Sequence, residues 1–228
     1  MSGGVVVTGG TGALGSVLVR LLLEEGRDVA VPYRSPSSWE GLRKGVPSPD
    51  GLWGDAADLA DLVEARRFMD AAAKRFGGIR GVAALAGGFA ASGTLEATPD
   101  AEWEGMMRTN LQSARGACVA ALPHLLRDGG SVVTVISRSA EAGGPGAAAY
   151  ATSKMAVLAL TRALSLENRG RGVRFNAVSP GTIDTAANRA AMPKADTSLW
   201  TPPEEIARVI LWLLSRDSEP ITGAVLPF

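Results

Sequence analysis

A tyrosine and a lysine four positions apart, in the segment Tyr150-Ala-Thr-Ser-Lys154, have the types and spacing needed for proton transfer. On a helix this spacing places both side chains on one face. A phenol with a pKa of about 10 is a weak acid–base group at neutral pH. A neighbouring ammonium favours the phenolate and lowers that pKa toward useful values. The segment therefore predicts a general acid–base centre.

A serine and an asparagine stand where they could complete this centre. Ser137 ends a predicted strand over 132–136 and precedes Tyr150 by 13 residues. Asn110 lies inside the helix that Thr98-Pro99, a cap followed by proline, predicts. The alternative for Asn110 is an amide that merely faces solvent, since Asn is only mildly unfavourable within helices.

A glycine-rich turn, Thr8-Gly9-Gly10-Thr11-Gly12-Ala13-Leu14-Gly15, follows a predicted strand over 5–7 and opens a helix. Glycine allows a tight turn and a close approach of the backbone to a pyrophosphate. The free N–H groups at the helix N-terminus then face the phosphates. This strand–turn–helix context predicts a dinucleotide site; the alternative is a tight βα turn without a ligand.

The end of the second predicted strand, Val31-Pro32-Tyr33-Arg34, bears on the choice of dinucleotide. NAD sites place a carboxylate here for the ribose 2′-hydroxyl, whereas Tyr33 stands in that place. The guanidinium of Arg34 could pair with a 2′-phosphate. The segment favours NADP(H); the alternative is a solvated surface arginine.

The composition excludes several classes of protein. The 228 residues carry 23 Lys+Arg against 23 Asp+Glu, so there is no net charge to attract nucleic acid or an anionic membrane. One Cys and one His exclude a disulfide framework and make the usual zinc site improbable. No signal-peptide pattern and no stretch of about 18 apolar residues is present. We expect a soluble, cytoplasmic single domain over residues 1–228.

Short apolar runs alternate with longer amphipathic segments along the chain. Such runs, apolar throughout, are typical of parallel strands covered on both faces. The pattern predicts a doubly wound α/β Rossmann fold with about seven strands. Strands are predicted at 5–7, 29–31, 81–85, 132–136, 173–178 and 221–226. Helices are predicted at 14–25, 59–76, about 99–124, 150–167 and 204–214, and 35–54 is predicted to be loop.

The turn, the Ser137–Tyr150 spacing and the Tyr150–Lys154 pair resemble the short-chain dehydrogenase/reductase family, from Val5 to about Gly223. The resemblance implies that Tyr150 exchanges a proton with the substrate oxygen and that Ser137 hydrogen-bonds this oxygen. It implies that Lys154 lowers the Tyr150 pKa and binds the nicotinamide ribose. Asn110 would hold a backbone kink and a water.

The resemblance also implies the residues that bind the cofactor. Asp58-Leu59 would meet the adenine, although Asp58 could equally cap the next helix. The segment 178–185 would place its backbone and Thr185 against the nicotinamide amide and pyrophosphate. The assigned residues are Gly9, Thr11, Gly12, Ala13, Leu14, Arg34, Asp58, Leu59, Ala86, Gly87, Gly88, Tyr150, Lys154, Pro180, Gly181, Ile183 and Thr185.

Two departures from the family pattern are present. Ala13 replaces a glycine of the turn, where Gly12 fits a variant of the turn found in larger relatives. The segment 84–88 lacks both asparagines of the family's Asn-Asn-Ala-Gly stretch, and this departure matches a narrower group. The turn, Ala86-Gly87-Gly88-Phe89 and 184–202 are similar to dihydropteridine reductases. That group generally lacks the serine, tends to carry an acid at the position of Tyr33, and tends to prefer NADH.

Three functions follow as alternatives. The first is an NADP(H)-dependent oxidoreductase acting on a carbonyl/alcohol pair. The second is a dihydropteridine reductase, and the third is a nucleotide sensor without catalysis. The resemblance further implies a substrate lid over 182–200 and a homodimer or homotetramer built through the helices at 99–124 and 150–167. We expect a small-molecule substrate and no metal, nucleic acid or membrane partner.

Overall fold

One sheet of seven parallel strands runs through residues 3–46 and 50–228, the part of the chain that our computed structural model describes. This confirms the predicted α/β fold. The strands are β1 (Gly4–Thr8), β2 (Val29–Tyr33), β3 (Leu52–Ala56), β4 (Ile79–Ala84), β5 (Gly130–Val135), β6 (Val173–Ser179) and β7 (Val225–Pro227).

The strand order places a topological switch point beside the first strand. The order across the sheet is β3-β2-β1-β4-β5-β6-β7. The chain therefore adds β2 and β3 on one side of β1 and then returns to add β4 on the other side of β1. In open α/β sheets, ligands bind outside the carboxyl ends of the strands at such a reversal.

Helices cover both faces of the sheet. They are α1 (Ala13–Glu24), α2 (Pro36–Gly45), α3 (Leu62–Phe76), α4 (Asp100–Met106), α5 (Ser113–Asp128), α6 (Arg138–Ala142), α7 (Ala148–Glu167), α8 (Ala186–Ala191) and α9 (Pro203–Leu214). A π-helical turn, Met107–Gln112, joins α4 to α5 into one continuous helical segment.

Alternate residues of each strand enter two apolar layers. Val5 and Val7 of β1 pack toward α1 and α9, where Leu18 and Ile210 are fully buried. Val6 packs on the opposite face with residues of α3 and α5. Because successive strand side chains point to opposite faces, a strand covered on both sides must be apolar throughout.

The predicted loop over 35–54 is wrong, because it contains α2 and most of β3. The Ser35 Oγ accepts a hydrogen bond from the Ser38 amide at 3.4 Å, and Pro36 occupies the first turn. These are ordinary signals of a helix start. Trp39 then packs on the sheet, where its ring stacks on that of Tyr33 with centroids 5.3 Å apart. Part of the predicted loop, 47–49, lies outside the described residues.

Helix α3 begins later than predicted, and its cap is Asp61. The Asp61 carboxylate accepts hydrogen bonds from the amides of Val63 and Glu64, at 2.7 and 3.1 Å. Asp58 therefore does not cap this helix. Thr98 is not a side-chain cap either, because its hydroxyl donates to the Thr94 carbonyl at 3.1 Å.

The remaining predicted elements are present with shifted ends. The last strand begins at Val225 rather than 221, and α5 continues to Asp128. A short helix after β5, α6, was not predicted. Its five residues are too few for the periodic pattern on which helix prediction depends.

Candidate active site

The predicted proton-transfer pair, Tyr150 and Lys154, lies in the first two turns of α7. Lys154 is only 7% exposed, and its Nζ donates a hydrogen bond to the Val135 carbonyl at the end of β5, at 3.0 Å. Burial lowers the pKa of Lys154 to about 8, because the charged form loses its hydration. The lysine is thus held against the end of the central sheet.

Ser137 and Tyr150 are brought together, and the Ser137 side chain lies close enough to lower the pKa of the Tyr150 phenol. Ser137 follows β5 and is only 6% exposed, and its Oγ also lies 2.8 Å from the Oγ of Ser139. Two hydroxyl groups and a phenol therefore meet where the strand ends. The predicted approach of Ser137 to Tyr150 is present in the fold.

The pKa of Tyr150 is shifted in the direction opposite to the prediction. Burial raises this pKa, and the interaction with the Ser137 side chain offsets only part of the rise. The predicted lowering by Lys154 is therefore wrong for this structure. The physical reason is that burial dominates, while the ammonium is directed to the Val135 carbonyl.

Asn110 lies inside the π-helical turn and is 1% exposed, so the alternative of a solvent-facing amide is wrong. Its Oδ1 accepts a hydrogen bond from the Gly88 amide at 2.8 Å, and its Nδ2 donates to the Gly88 carbonyl at 3.2 Å. The same Nδ2 donates to the Ser153 Oγ at 2.9 Å. Asn110 thus connects the segment after β4 with α7.

The glycine-rich turn is packed closely enough to require glycine at two positions. Gly9 has φ +66°, and a Cβ there would lie 2.9 Å from the Ala86 amide nitrogen. A Cβ on Gly15 would lie 2.1 Å from the Gly9 carbonyl oxygen. The turn is tied to the segment after β4 by the Ala86 amide, which donates to the Thr8 hydroxyl at 3.0 Å.

A cavity of about 440 Å³, here called the switch-point cavity, opens at the carboxyl ends of β1 to β4. Polar and small residues from four strand-to-helix connections line it. Of the residues predicted to bind the cofactor, it gathers Gly9, Thr11, Gly12, Ala13, Leu14, Arg34, Asp58, Leu59, Ala86 and Gly87. A groove floored by a tight glycine turn and the first turn of α1 fits the pyrophosphate and adenosine of a dinucleotide.

The part of this cavity around Asp58, where the adenosine is predicted to bind and which is here called the adenosine end, carries an arginine that the sequence did not indicate. Arg108 Nη2 donates to Asp58 Oδ2 at 2.6 Å, and both residues line the cavity. Partial burial acts to raise the pKa of Asp58. The Ala60 amide, Arg108 and the charge of Arg34 together bring it below its usual value.

Several predicted contacts lie outside the switch-point cavity. Gly88, Pro180, Gly181, Ile183 and Thr185 do not line it. The Thr185 hydroxyl instead accepts a hydrogen bond from the Asn188 amide at 3.1 Å and caps α8.

Ile183 pairs with Thr201 in an isolated parallel bridge. Lys154 does reach the edge of the cavity, because a Cβ on Gly87 would lie 3.1 Å from its Nζ.

Similar proteins are found by sequence over nearly the whole chain. A family model described as enoyl-(acyl carrier protein) reductase matches residues 10–228. The 4-formylbenzenesulfonate dehydrogenase of Comamonas testosteroni is 30% identical over 236 residues, covering 97% of this chain and 94% of that protein. The 3-oxoacyl-[acyl-carrier-protein] reductase of Thermotoga maritima is 27% identical, covering 97% and 94%.

Solved structures have the same fold. Levodione reductase superposes with a TM-score of 0.91 at 26% identity, covering 99% of this chain and 95% of that one. An NADPH-bound short-chain oxidoreductase from Pseudomonas aeruginosa PAO1, described as containing an atypical catalytic center, has a TM-score of 0.87 at 27% identity, covering 98% and 94%.

Fold, sequence and relatives together show that the chain belongs to the short-chain dehydrogenase/reductase family. Like the relatives named above, it is an enzyme of the oxidoreductase class. None of these relatives is a dihydropteridine reductase, so that narrower resemblance stays a prediction. Within the described residues, none of the helices is both long and apolar enough to cross a bilayer.

Proposed function

We propose that this protein is an NADP(H)-dependent oxidoreductase that interconverts a carbonyl and an alcohol, with Tyr150 as the proton donor and acceptor. The observation that carries the proposal is that the buried Ser137 lies close enough to Tyr150 to act on the pKa of its phenol, on the helix that also carries the buried Lys154. A phenol and a hydroxyl so close together can both reach one substrate oxygen. A sensor without catalysis would have no need of this arrangement.

The proton is held at the phenol oxygen of Tyr150. A bound nicotinamide would supply a hydride to the carbonyl carbon or accept one from the alcohol carbon. Because the raised pKa keeps Tyr150 protonated at neutral pH, the phenol can give its proton to the substrate oxygen as negative charge develops there. Ser137 would donate a hydrogen bond to the same oxygen and stabilise that charge.

Lys154 and Asn110 position the groups that react. Lys154 Nζ lies at Gly87 on the edge of the switch-point cavity, so it can reach the ribose of a nicotinamide that extends from that cavity. Asn110 holds Gly88 through two hydrogen bonds. In this way one amide sets the position of the segment on which the cofactor and substrate would meet.

The preference for NADP(H) is supported by the charges at the adenosine end of the cavity. Arg34 and Arg108 both line this cavity together with Asp58, and the charges of both lower the pKa of that carboxyl. The excess positive charge suits a 2′-phosphate. No carboxylate occupies the end of β2, where Tyr33 is instead stacked on Trp39.

The segment 182–200 is proposed as the substrate lid of this single domain. Its two ends are joined where the Thr201 amide donates to the Thr182 carbonyl at 3.0 Å and the Asp184 amide donates to the Thr201 carbonyl at 2.9 Å. Between these bonds the chain makes only α8 and a short 3₁₀ turn. A segment fixed at its neck can move as one piece over the site.

We further propose a cytoplasmic homodimer or homotetramer. Apolar side chains on α7, Met155 and Leu166, are 37% and 65% exposed and could be covered by a second copy. Closed symmetry is the usual arrangement of such assemblies. Light scattering at micromolar concentration should give a mass of two or four chains, and a monomeric mass would refute this.

The function is tested by following the absorbance of NADPH and NADH with ketones, 3-oxoacyl esters and quinonoid dihydropterin. Tyr150→Phe removes one hydroxyl and keeps the ring, so cofactor affinity should be retained. Turnover should fall by about 10²–10⁴-fold, as expected for a lost general acid. Full activity of this variant on every substrate would contradict the proposed role of Tyr150.

A further inference from the structure

We propose that Phe89 forms one wall of the substrate site and that the preferred substrate is an uncharged ketone with an aromatic ring attached to its carbonyl carbon. The inference rests on the proposed function, because it assumes that the carbonyl oxygen is bound by Tyr150. It goes beyond that function by naming the class of substrate and the residue that selects it.

The first argument is the contact between the two rings. The ring of Phe89 meets the ring of Tyr150 edge to face, with centroids 4.9 Å apart and an interplanar angle of 72°. A carbonyl oxygen that accepts a proton from Tyr150 must lie within hydrogen-bond distance of its hydroxyl. A substituent on the carbonyl carbon of the substrate then lies within reach of the Phe89 ring.

The second argument is that Phe89 is both exposed and anchored. It is 67% exposed and does not line the switch-point cavity, so its free surface is not used by the adenosine half of the cofactor. The residue before it, Gly88, is held by two hydrogen bonds with Asn110, one donated and one accepted by the Asn110 amide. An exposed ring on an anchored backbone is suited to contact with a ligand, since little conformational entropy is lost when the ligand orders it.

The third argument is that the two chain segments carrying the rings have no charged side chain of their own. Residues 85–95, which include Phe89, contain no charged side chain, and neither do residues 142–150, which end at Tyr150. The two segments approach each other where a Cβ on Gly146 would lie 3.7 Å from the Gly93 carbonyl oxygen. An uncharged ligand loses less hydration than an ion on entering such surroundings.

Two charged side chains of the flanking segments, Arg189 and Glu141, already have partners. Arg189 binds both carboxylate oxygens of Asp184, at 2.5 and 2.6 Å. Glu141 pairs with the hydroxyl of Ser179. A charged substituent that paired with Arg189 or Glu141 would have to displace these partners, whereas a neutral ring has no such requirement.

The test compares two ketones of similar size, acetophenone and cyclohexyl methyl ketone, with NADPH as reductant. The quantity measured is the ratio of their kcat/KM values, in the natural protein and in Phe89→Leu. Aromatic pairing should make this ratio about two- to tenfold larger in the natural protein than in the variant. Val63→Ala, at a residue of α3 that is 77% exposed, is the control and should leave the ratio unchanged.

An unchanged ratio in Phe89→Leu would overturn the inference. If the natural protein reduces neither ketone, acetophenone binding to the NADPH-saturated protein is measured by saturation-transfer NMR. A signal that is lost in Phe89→Leu would support the aromatic wall while the proposed reaction fails. A signal that is equal in both proteins, or no signal in either, would overturn the aromatic wall.

Discussion

Asn110 and Ser153 are joined by a hydrogen bond of 2.9 Å between two helical segments that lie 43 residues apart in the chain. Ser153 in turn donates to the Tyr150 carbonyl at 2.7 Å. Both side chains are almost fully buried. The helix that carries Tyr150 is therefore fixed, through one amide, to the segment that follows β4.

Replacing this amide should affect both stability and catalysis. Asn110→Leu leaves the Gly88 amide and the Ser153 hydroxyl without their buried partner, which should lower the free energy of unfolding by about 1–3 kcal/mol. Turnover should fall while the NADPH dissociation constant changes less, because Asn110 does not line the switch-point cavity. Urea unfolding and NADPH titration measure the two effects. Unchanged stability would show that the linkage is not needed.

Ser137→Ala separates the two enzyme functions. In a carbonyl reductase the hydroxyl binds the reacting oxygen, so turnover should fall by about 10²–10³-fold, as for the loss of one oxyanion donor. In a dihydropteridine reductase, which generally works without this serine, the loss should be small. Ser139→Ala is the matched control, because it removes a hydroxyl 2.8 Å from Ser137 that has no proposed contact with substrate. Steady-state rates with a ketone and with quinonoid dihydropterin distinguish these outcomes.

Cofactor choice should depend on two arginines rather than one. Arg34→Ala should weaken NADPH binding by about ten- to a hundredfold, with little change for NADH, because a charged hydrogen bond to the 2′-phosphate is lost. Arg108→Gln should also weaken NADPH binding, by a smaller factor. The Asp58 carboxylate loses its ion-pair partner in this variant and then repels the phosphate.

Isothermal titration with both cofactors measures these affinities. The control is Arg208→Gln, which removes an exposed guanidinium on α9 outside the switch-point cavity. Equal affinities of the natural protein for NADPH and NADH would rule out the preference.

A close backbone contact should make Gly116 intolerant of any side chain. A Cβ there would lie 1.8 Å from the Leu59 carbonyl oxygen, so α5 would have to move away from the adenosine end of the cavity. Gly116→Ala should cost about 1–3 kcal/mol of stability and weaken NADPH binding.

The control for this change is Gly105→Ala in α4, where a Cβ would have nothing within 4 Å. This variant should be stabilised by about 0.4–1 kcal/mol, because alanine restricts the unfolded chain. Urea unfolding compares the two, and equal effects would show that the contact with Leu59 is not decisive.

Lys154 gives the stability a pH dependence with a definite sign. Its pKa is about 8 when folded and 10.5 in a free lysine, so the unfolded chain binds more protons between these values. The free energy of unfolding contributed by this group therefore rises with pH, by about 2 kcal/mol from pH 7.5 to 9.5. Urea unfolding of the natural protein and of Lys154→Met at both pH values isolates this group. Parallel changes in the two proteins would contradict the lowered pKa.

Most of the architecture could be predicted because strand and helix periodicities are local properties of the sequence. The β-branched run at Val5–Val7 and the glycine turn after it identify the first strand and helix without any tertiary information. The α2 helix was missed because the proline, serine and glycine residues of this segment were interpreted as signals of a loop. The Ser35 cap with Pro36 behind it was nevertheless present as a start signal.

The site was only partly predictable, because several of its contacts depend on tertiary structure. Arg108 meets Asp58 from 50 residues away, and no spacing in the sequence indicates such a pair. The pKa of Tyr150 depends on burial, which cannot be inferred from the spacing of Tyr150 and Lys154 in the sequence. Thr185 looked like a ligand contact, but its hydroxyl had a local alternative as the cap of α8.

Because of the π-helical turn at Met107–Gln112, the position of Asn110 depends on the number of residues in this part of the chain. Its hydrogen bonds run over a longer loop than those of an α-helix, so the turn accommodates an extra residue. Deleting one residue between Asn110 and α5 would convert the π-helical turn into ordinary α-helix. The residues before the deletion would then be rotated about the helix axis by about 100° relative to the residues after it. Such a deletion would separate Asn110 from Ser153 although every residue of the site remained. A single-codon deletion here could thus inactivate the enzyme where a comparison of site residues would find nothing changed.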